Sequence, residues 1–183
     1  MGSLEQNAVK SFEKCKGKLK VEAEKKVQKI IGKLISEEWI ATELYRSLVI
    51  SCSSDSRETI ARMFHSNADE EYLDHFAKLV NFAISNDIEI PCRFDEYAKM
   101  ADERAVKLMK FKRGGDADYC IGIAIELENL AIESYAGVLN DEDVPQVVKQ
   151  LVIEMYYDEV EHLNNLKTLL LATRVGAHLN RRG

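Results

Sequence analysis

The run Asp158-Glu159-Val160-Glu161-His162 sets three acids and an imidazole within five residues. It lies inside a long helical pattern near the C-terminus. Glu159 and His162 are three residues apart, so both project from one face of a helix. The same face carries Val152, Met155, Leu163, Leu166 and Leu170. A carboxylate and an imidazole therefore sit on an apolar stripe, where an unpaired charge is costly. A metal ion is the best candidate for what compensates them. Helix bundles build such sites from a Glu-x-x-His pair together with single glutamates on facing helices. One isolated pair could equally be a structural ion pair, so the question is whether the chain supplies more ligands.

Working outward, the chain reads as mostly helical. Its 183 residues are enough for one domain with a substantial core. Apolar residues make up 46% and charged residues 31%, and there are only two prolines, which favours an all-α protein. No apolar run approaches the roughly 20 residues that span a bilayer, and no secretory signal is visible. The four cysteines (Cys15, Cys52, Cys92 and Cys120) form no CxxC motif. Scattered in this way they suggest a reducing, cytoplasmic setting, with Cys52 and Cys92 either packed, as free thiols commonly are, or reactive.

The fourth helix is expected to start near Pro145 and run to about Ala172. A third covers about Asp118 to Leu139, with Ile121, Ala124, Ile125, Ala131, Ile132 and Tyr135 inward. Glu128 falls on that stripe. A first helix covers about Val27 to Cys52, with Ile31, Leu34, Ala41, Leu44, Tyr45 and Leu48 repeating at helical spacing, and Glu38 lies among them. A second covers about Ser56 to Asn86, with Ile60, Phe64, Ala68, Tyr72, Leu79 and Phe82 marking its inner face. His75 is on that face and Glu71 one turn earlier, while Glu70 and Asp74 point more to the side. The connection at Ser51–Ser56 is short and contains a capping-box pattern, Asp55 with Glu58. Residues 87–117 form a long crossover, expected to hold one further helix from Phe94 to Phe111.

The order repeats. Glu38 is followed seven residues on by Tyr45, and Glu128 by Tyr135. Each half then offers a Glu/His pair. Packed together, two helical hairpins bring in Glu38, Glu71, His75, Glu128, Glu159 and His162. Four carboxylates balance two divalent cations, and each imidazole adds a neutral ligand. That donor set suits iron or manganese better than copper or calcium. Tyr45 and Tyr135 could instead be core residues with polar tips. Trp39, beside Glu38, reads as packing or as a redox-active neighbour.

These residues resemble the ferritin-like di-iron carboxylate superfamily over about residues 27–172, and within it bacterioferritin and the bacterioferritin-like Dps proteins. The resemblance implies a left-handed four-helix bundle with a crossover helix. It implies two iron ions, with manganese the other option, bridged by Glu71 and Glu159. Glu38 and Glu128 would be terminal ligands, with His75 and His162 on one metal each. The implied function is oxidation of ferrous iron by dioxygen or hydrogen peroxide, with storage of the ferric product in a homo-oligomeric shell, of twelve subunits since no fifth helix follows the bundle. A di-iron or di-manganese oxidase, peroxidase or catalase without a shell is the competing reading. Two departures stand out. The second helix has Tyr72, not glutamate, three residues before His75, which leaves Glu71 or Tyr72 to complete the site; a π-bulge could adjust the register. Leu73 occupies the place of the bacterioferritin haem methionine, so no haem is expected. Cysteine pairs of the rubredoxin kind are missing, which excludes a complete rubrerythrin.

Flanking the expected bundle are a lysine-rich arm (residues 1–26) and a short basic tail (residues 173–183). Residues 1–33 carry nine lysines against four glutamates, a balance of +5. With a total of −6, the remainder carries −11. The arm reads as a solvated helix with Glu–Lys pairs more readily than as a contact for DNA. The acidic body would draw cations.

Overall fold

The computed structural model describes residues 21–52, 58–90, 93–111 and 115–180. The lysine arm before residue 21, the capping box at Asp55 and the end of the basic tail fall outside these residues. The described chain is helical: α1 (Val21–Cys52), α2 (Glu58–Glu70), a π-helical segment (Glu71–Phe76), α3 (Ala77–Ser85), α4 (Phe94–Met100), α5 (Glu103–Leu108), α6 (Ala117–Asn140) and α7 (Gln146–Asn180). The residues flanking the π segment keep right-handed helical angles, so α2, the π segment and α3 form one continuous rod. Four long rods result. α1 pairs with the second rod, and α6 with α7. The crossover packs across α1 and α6. No described helix is long and apolar enough to cross a membrane.

Each rod buries the apolar stripe that its spacing dictates. On α1, Val27, Ile31, Leu34, Ile35, Leu44, Tyr45 and Leu48 are all nearly inaccessible. Burying a side chain of this size contributes roughly 1.5–3 kcal/mol. The buried residues divide into two main clusters, one towards each end of the bundle. One holds Leu44, Leu48, Phe64, Ala68, Ala124, Leu127 and Leu166. The other holds Leu34, Ile35, Leu79, Ala83, Tyr135, Val152 and Met155. On every rod the switch from one cluster to the other happens at one level, and the buried carboxylates and imidazoles occupy that level.

The crossover departs from the expected single helix. Ala101 takes an extended conformation between α4 and α5. The Asp102 side chain then caps α5 by accepting from the Arg104 backbone N–H. The break is tied to α1 through Glu37. Its carboxylate accepts from the Asp102 backbone N–H at 3.2 Å and from the Ser134 hydroxyl at 2.6 Å. Burial raises the pKa of Glu37, against the opposing pull of Lys33. A second departure concerns the cysteines. Cys120, on the buried side of α6, is disulfide-bonded. Sequence spacing does not show which cysteines meet in space.

Candidate metal centre

Glu38, Glu71, His75, Glu128, Glu159 and His162 are each at most 5% exposed. α1 contributes Glu38, the π segment Glu71 and His75, α6 Glu128, and α7 Glu159 and His162. The second rod shows why the π segment matters. Ile60, Phe64, Ala68, Glu71, His75, Leu79 and Ala83 are all buried. At 100° per residue, 23 residues of pure α-helix would swing Ala83 about 140° away from Ile60. One extra residue in a π turn removes about 100° of that drift. The Ala77 backbone N–H bonds to the Tyr72 carbonyl, five residues back, as such a turn requires. The register places Glu71 in the cluster and turns Tyr72 outward. Tyr72, expected on the inner face, is 38% exposed; it stacks on Phe76 and lies beneath the Arg46 guanidinium.

The side chains converge on two overlapping groups. Glu38, Glu71, His75 and Glu159 form one; Glu71, Glu128, Glu159 and His162 form the other. Within each, one ligand atom per residue lies within 4.8 Å of every other. Glu71 and Glu159 belong to both. The Nδ1 atom of His75 lies 3.1 Å from Glu71, 3.2 Å from Glu159 and 3.4 Å from Glu38. Nδ1 of His162 lies 3.5 Å from Glu159, 3.7 Å from Glu71 and 3.8 Å from Glu128. One ring N–H serves one acceptor well, so three carboxylates around a single nitrogen leave oxygens that a cation could take up. The orphaned buried atoms agree: both oxygens of Glu159, Oε2 of Glu38 and of Glu128, and Nδ1 of His162 make no hydrogen bond. Buried groups of this kind are costly unless something satisfies them.

Around this inner set stands an outer one. The Tyr45 hydroxyl donates to Glu128, and the Tyr135 hydroxyl donates to Glu38. Each tyrosine thus serves the glutamate of the other half of the repeat. Asn67 in turn donates to the Tyr45 oxygen at 3.1 Å. The outer nitrogens of the histidines are also engaged. His75 Nε2 lies 3.3 Å from Asp158, and His162 Nε2 lies 3.2 Å from Glu70. The acid immediately before each shared glutamate therefore reaches the histidine of the opposite rod. Holding the proton on Nε2 leaves the Nδ1 lone pair for a metal.

Burial and the neighbouring Glu159 charge push Glu71 and Glu128 well above the usual carboxylate range. Burial alone would lower the pKa of His162, but Glu128 and Glu159 outweigh it and raise it to about 12. His75 is raised likewise: burial is opposed by Glu159, Glu38 and Glu71. Glu159 is driven the other way. Desolvation disfavours its charge, but Glu128 and the two imidazoles overcome it and hold it below the normal range. The cluster by itself keeps protons where divalent cations would replace them. A cleft of about 320 Å³ between the second rod and α7 reaches this level from solvent; Ser66, Asn67, Glu70, Asp158, Glu161 and His162 line it.

No protein-family model and no curated protein matches this sequence. Among solved structures, the chain matches the bacterioferritin-related protein from Bacteroides fragilis, described as a dodecameric thioferritin. The two are 18% identical, with a TM-score of 0.70, over 90% of this chain and 93% of that one. The fold is ferritin-like. In this ferritin-like bundle all six residues singled out in the sequence meet at one level between the four rods. Tyr72 is not among them. Sequence spacing placed Glu70 to the side and assigned no role to it, to Asp158 or to Asn67. Position alone could have flagged the first two, since each is an acid directly preceding a shared glutamate.

Proposed function

We propose that the protein is a ferroxidase that binds two ferrous ions per chain and oxidises them with dioxygen or hydrogen peroxide, detoxifying and storing iron. One observation carries this reading: two four-ligand groups, fully buried, share two carboxylates between them. Four glutamates neutralise two divalent cations, and a pair of redox-active cations delivers electrons two at a time. Ferrous iron is the substrate. Glu71 and Glu159 bridge the two ions; Glu38 and His75 complete one position, Glu128 and His162 the other. Tyr135 and Tyr45 orient the terminal carboxylates through their hydroxyls. Asp158 and Glu70 hold the histidine protons on Nε2. The acidic cleft beside His162 admits cation and oxidant. Manganese suits the same donors.

The likeness to a dodecameric neighbour supports a twelve-chain shell as the store. Twelve chains of 20.8 kDa form a particle of roughly 250 kDa. A di-metal oxidase or peroxidase without a shell would instead run as a monomer or small oligomer, so native mass separates the two.

The site itself is tested with anaerobic ferrous iron at two equivalents per chain, followed by dioxygen or hydrogen peroxide and absorbance of the ferric product. Glu159→Ala removes a carboxylate from both groups. It is expected to abolish rapid oxidation while the far-ultraviolet circular dichroism stays helical. Wild-type oxidation kinetics in that variant would refute the assignment.

A further inference from the structure

Helix α7 carries a second stripe on the side away from its buried one. The inner face buries Val152, Met155, Glu159, His162 and Leu166. The outer face presents Ile153, 42% exposed, with Tyr157, Leu171 and Val175, each at least 60% exposed. Among the described residues these are four of the ten exposed large apolar side chains, and they share one rod. Exposed apolar residues scattered singly need no explanation, but a run of them along one face does. Ile153 and Val175 are 22 residues apart, which at 100° per residue is within about 40° of six whole turns. No glycine or proline interrupts the stretch. Charged residues beside the stripe turn back to the bundle. Glu154 pairs with Lys78 of the second rod at 3.7 Å, and Arg174 with Asp118 of α6 at 2.8 Å.

The stripe is symmetric about Asn164, which is also exposed. Tyr157 and Leu171 lie seven residues to either side of it, and Ile153 and Val175 eleven. Glu161 and Lys167 lie three to either side, opposite in charge. A face patterned in this way matches itself when turned end over end. We propose that the outer face of α7 docks against the same face of a second copy of this chain, antiparallel, about a two-fold axis at Asn164. In such an isologous contact residue i meets j and j meets i. Tyr157 then packs on Leu171 of the partner subunit, and Ile153 on Val175 of the partner subunit. The two Asn164 side chains meet at the axis, where one polar residue in an apolar seam fixes the register. Glu161 of each copy comes level with Lys167 of the partner subunit. Parallel pairing would set each charge level with its own like, which costs energy. The contact uses none of the six buried ligands, so it goes beyond the ferroxidase reading and does not depend on it.

The test is a full chain carrying both Ile153→Cys and Val175→Cys. On one helix these positions are about 33 Å apart, against the roughly 4–7 Å between Cα atoms that a disulfide spans. Any 153–175 link therefore joins two copies. The protein is oxidised mildly and its disulfide-linked peptides are mapped by mass spectrometry, beside wild type as the control for the native cysteines. The expected product is a covalent dimer with 153–175 links and few 153–153 or 175–175 links. Links of each position mainly to itself would mean parallel pairing and overturn the proposal, as would the absence of any link not seen in wild type. Leu171→Glu gives a second readout, because it places two carboxylates in the seam. Its native mass by light scattering is expected to fall to half that of wild type or less, with helical circular dichroism and cobalt(II) stoichiometry unchanged. An unchanged native mass, or a monomeric wild type, overturns the docking.

Discussion

Asp158→Ala is the perturbation that most sharply separates a metal centre from a buried ion-pair network. Asp158 touches the cluster only through Nε2 of His75, at 3.3 Å, and its side chain is 37% exposed. Removing it deletes no proposed ligand. Its loss frees the imidazole to rotate or to place its proton on Nδ1, which faces Glu38, Glu71 and Glu159. Outer partners of metal-bound histidines are typically worth about 10–100-fold in affinity, or roughly 1.4–2.7 kcal/mol. Only one of the two groups contains His75, so the loss should fall on one metal equivalent. Calorimetric titration of metal-free protein with cobalt(II) should resolve a weakened first group and an almost unchanged second. Glu70→Ala should give the mirror image through His162. Asp158→Asn, which still accepts the Nε2 proton, should recover much of the loss. Equal weakening of both equivalents by Asp158→Ala, or none, would refute the cross-rod pairing of acid and histidine.

Other consequences follow from the same geometry. Glu71→Gln should lose tight binding at both equivalents, whereas Tyr72→Phe should leave the titration unchanged, because the π turn points Tyr72 away from the cluster. Metal affinity should rise with pH, since Glu71, Glu128 and both histidines hold protons that a cation must displace. Each released proton adds up to about tenfold per pH unit. Thermal stability should show the complementary trend. Groups with raised folded pKa values stabilise the metal-free protein at low pH and lose that contribution as pH rises through them. Glu159, held low, is ionised in both states above about pH 5.5 and adds no slope there. The gain in melting temperature on adding manganese(II) should therefore be larger at about pH 8 than at about pH 5.5; an equal gain would contradict the proton inventory. Finally, Phe64→Ala, in the fully buried cluster beside Tyr45, should cost about 3–5 kcal/mol in denaturant unfolding.

Much of the centre was legible because helical periodicity and burial cost act locally. A glutamate on an apolar stripe needs a reason to be there, and Glu38, Glu128, Glu159 and His162 each declared themselves in this way. Four rods also followed from the stripes, and the antiparallel pairing of the first two from their short connection. Spacing along the helix does not tell Glu71 from Tyr72. Their choice depends on one inserted residue in the helix, and a π turn is favoured by what surrounds the rod as much as by its own residues.

Residue spacing along one rod is enough to make the chain helical and to set which faces are buried and which charged side chains lie on them. Which of those side chains meet depends on packing between the rods. The crossing of Tyr45 to Glu128 and Tyr135 to Glu38, the reach of Asp158 and Glu70 to opposite histidines, and the break at Ala101 all join residues far apart in the chain. Such contacts are set by how the rods pack against one another, and no period within a single helix encodes them.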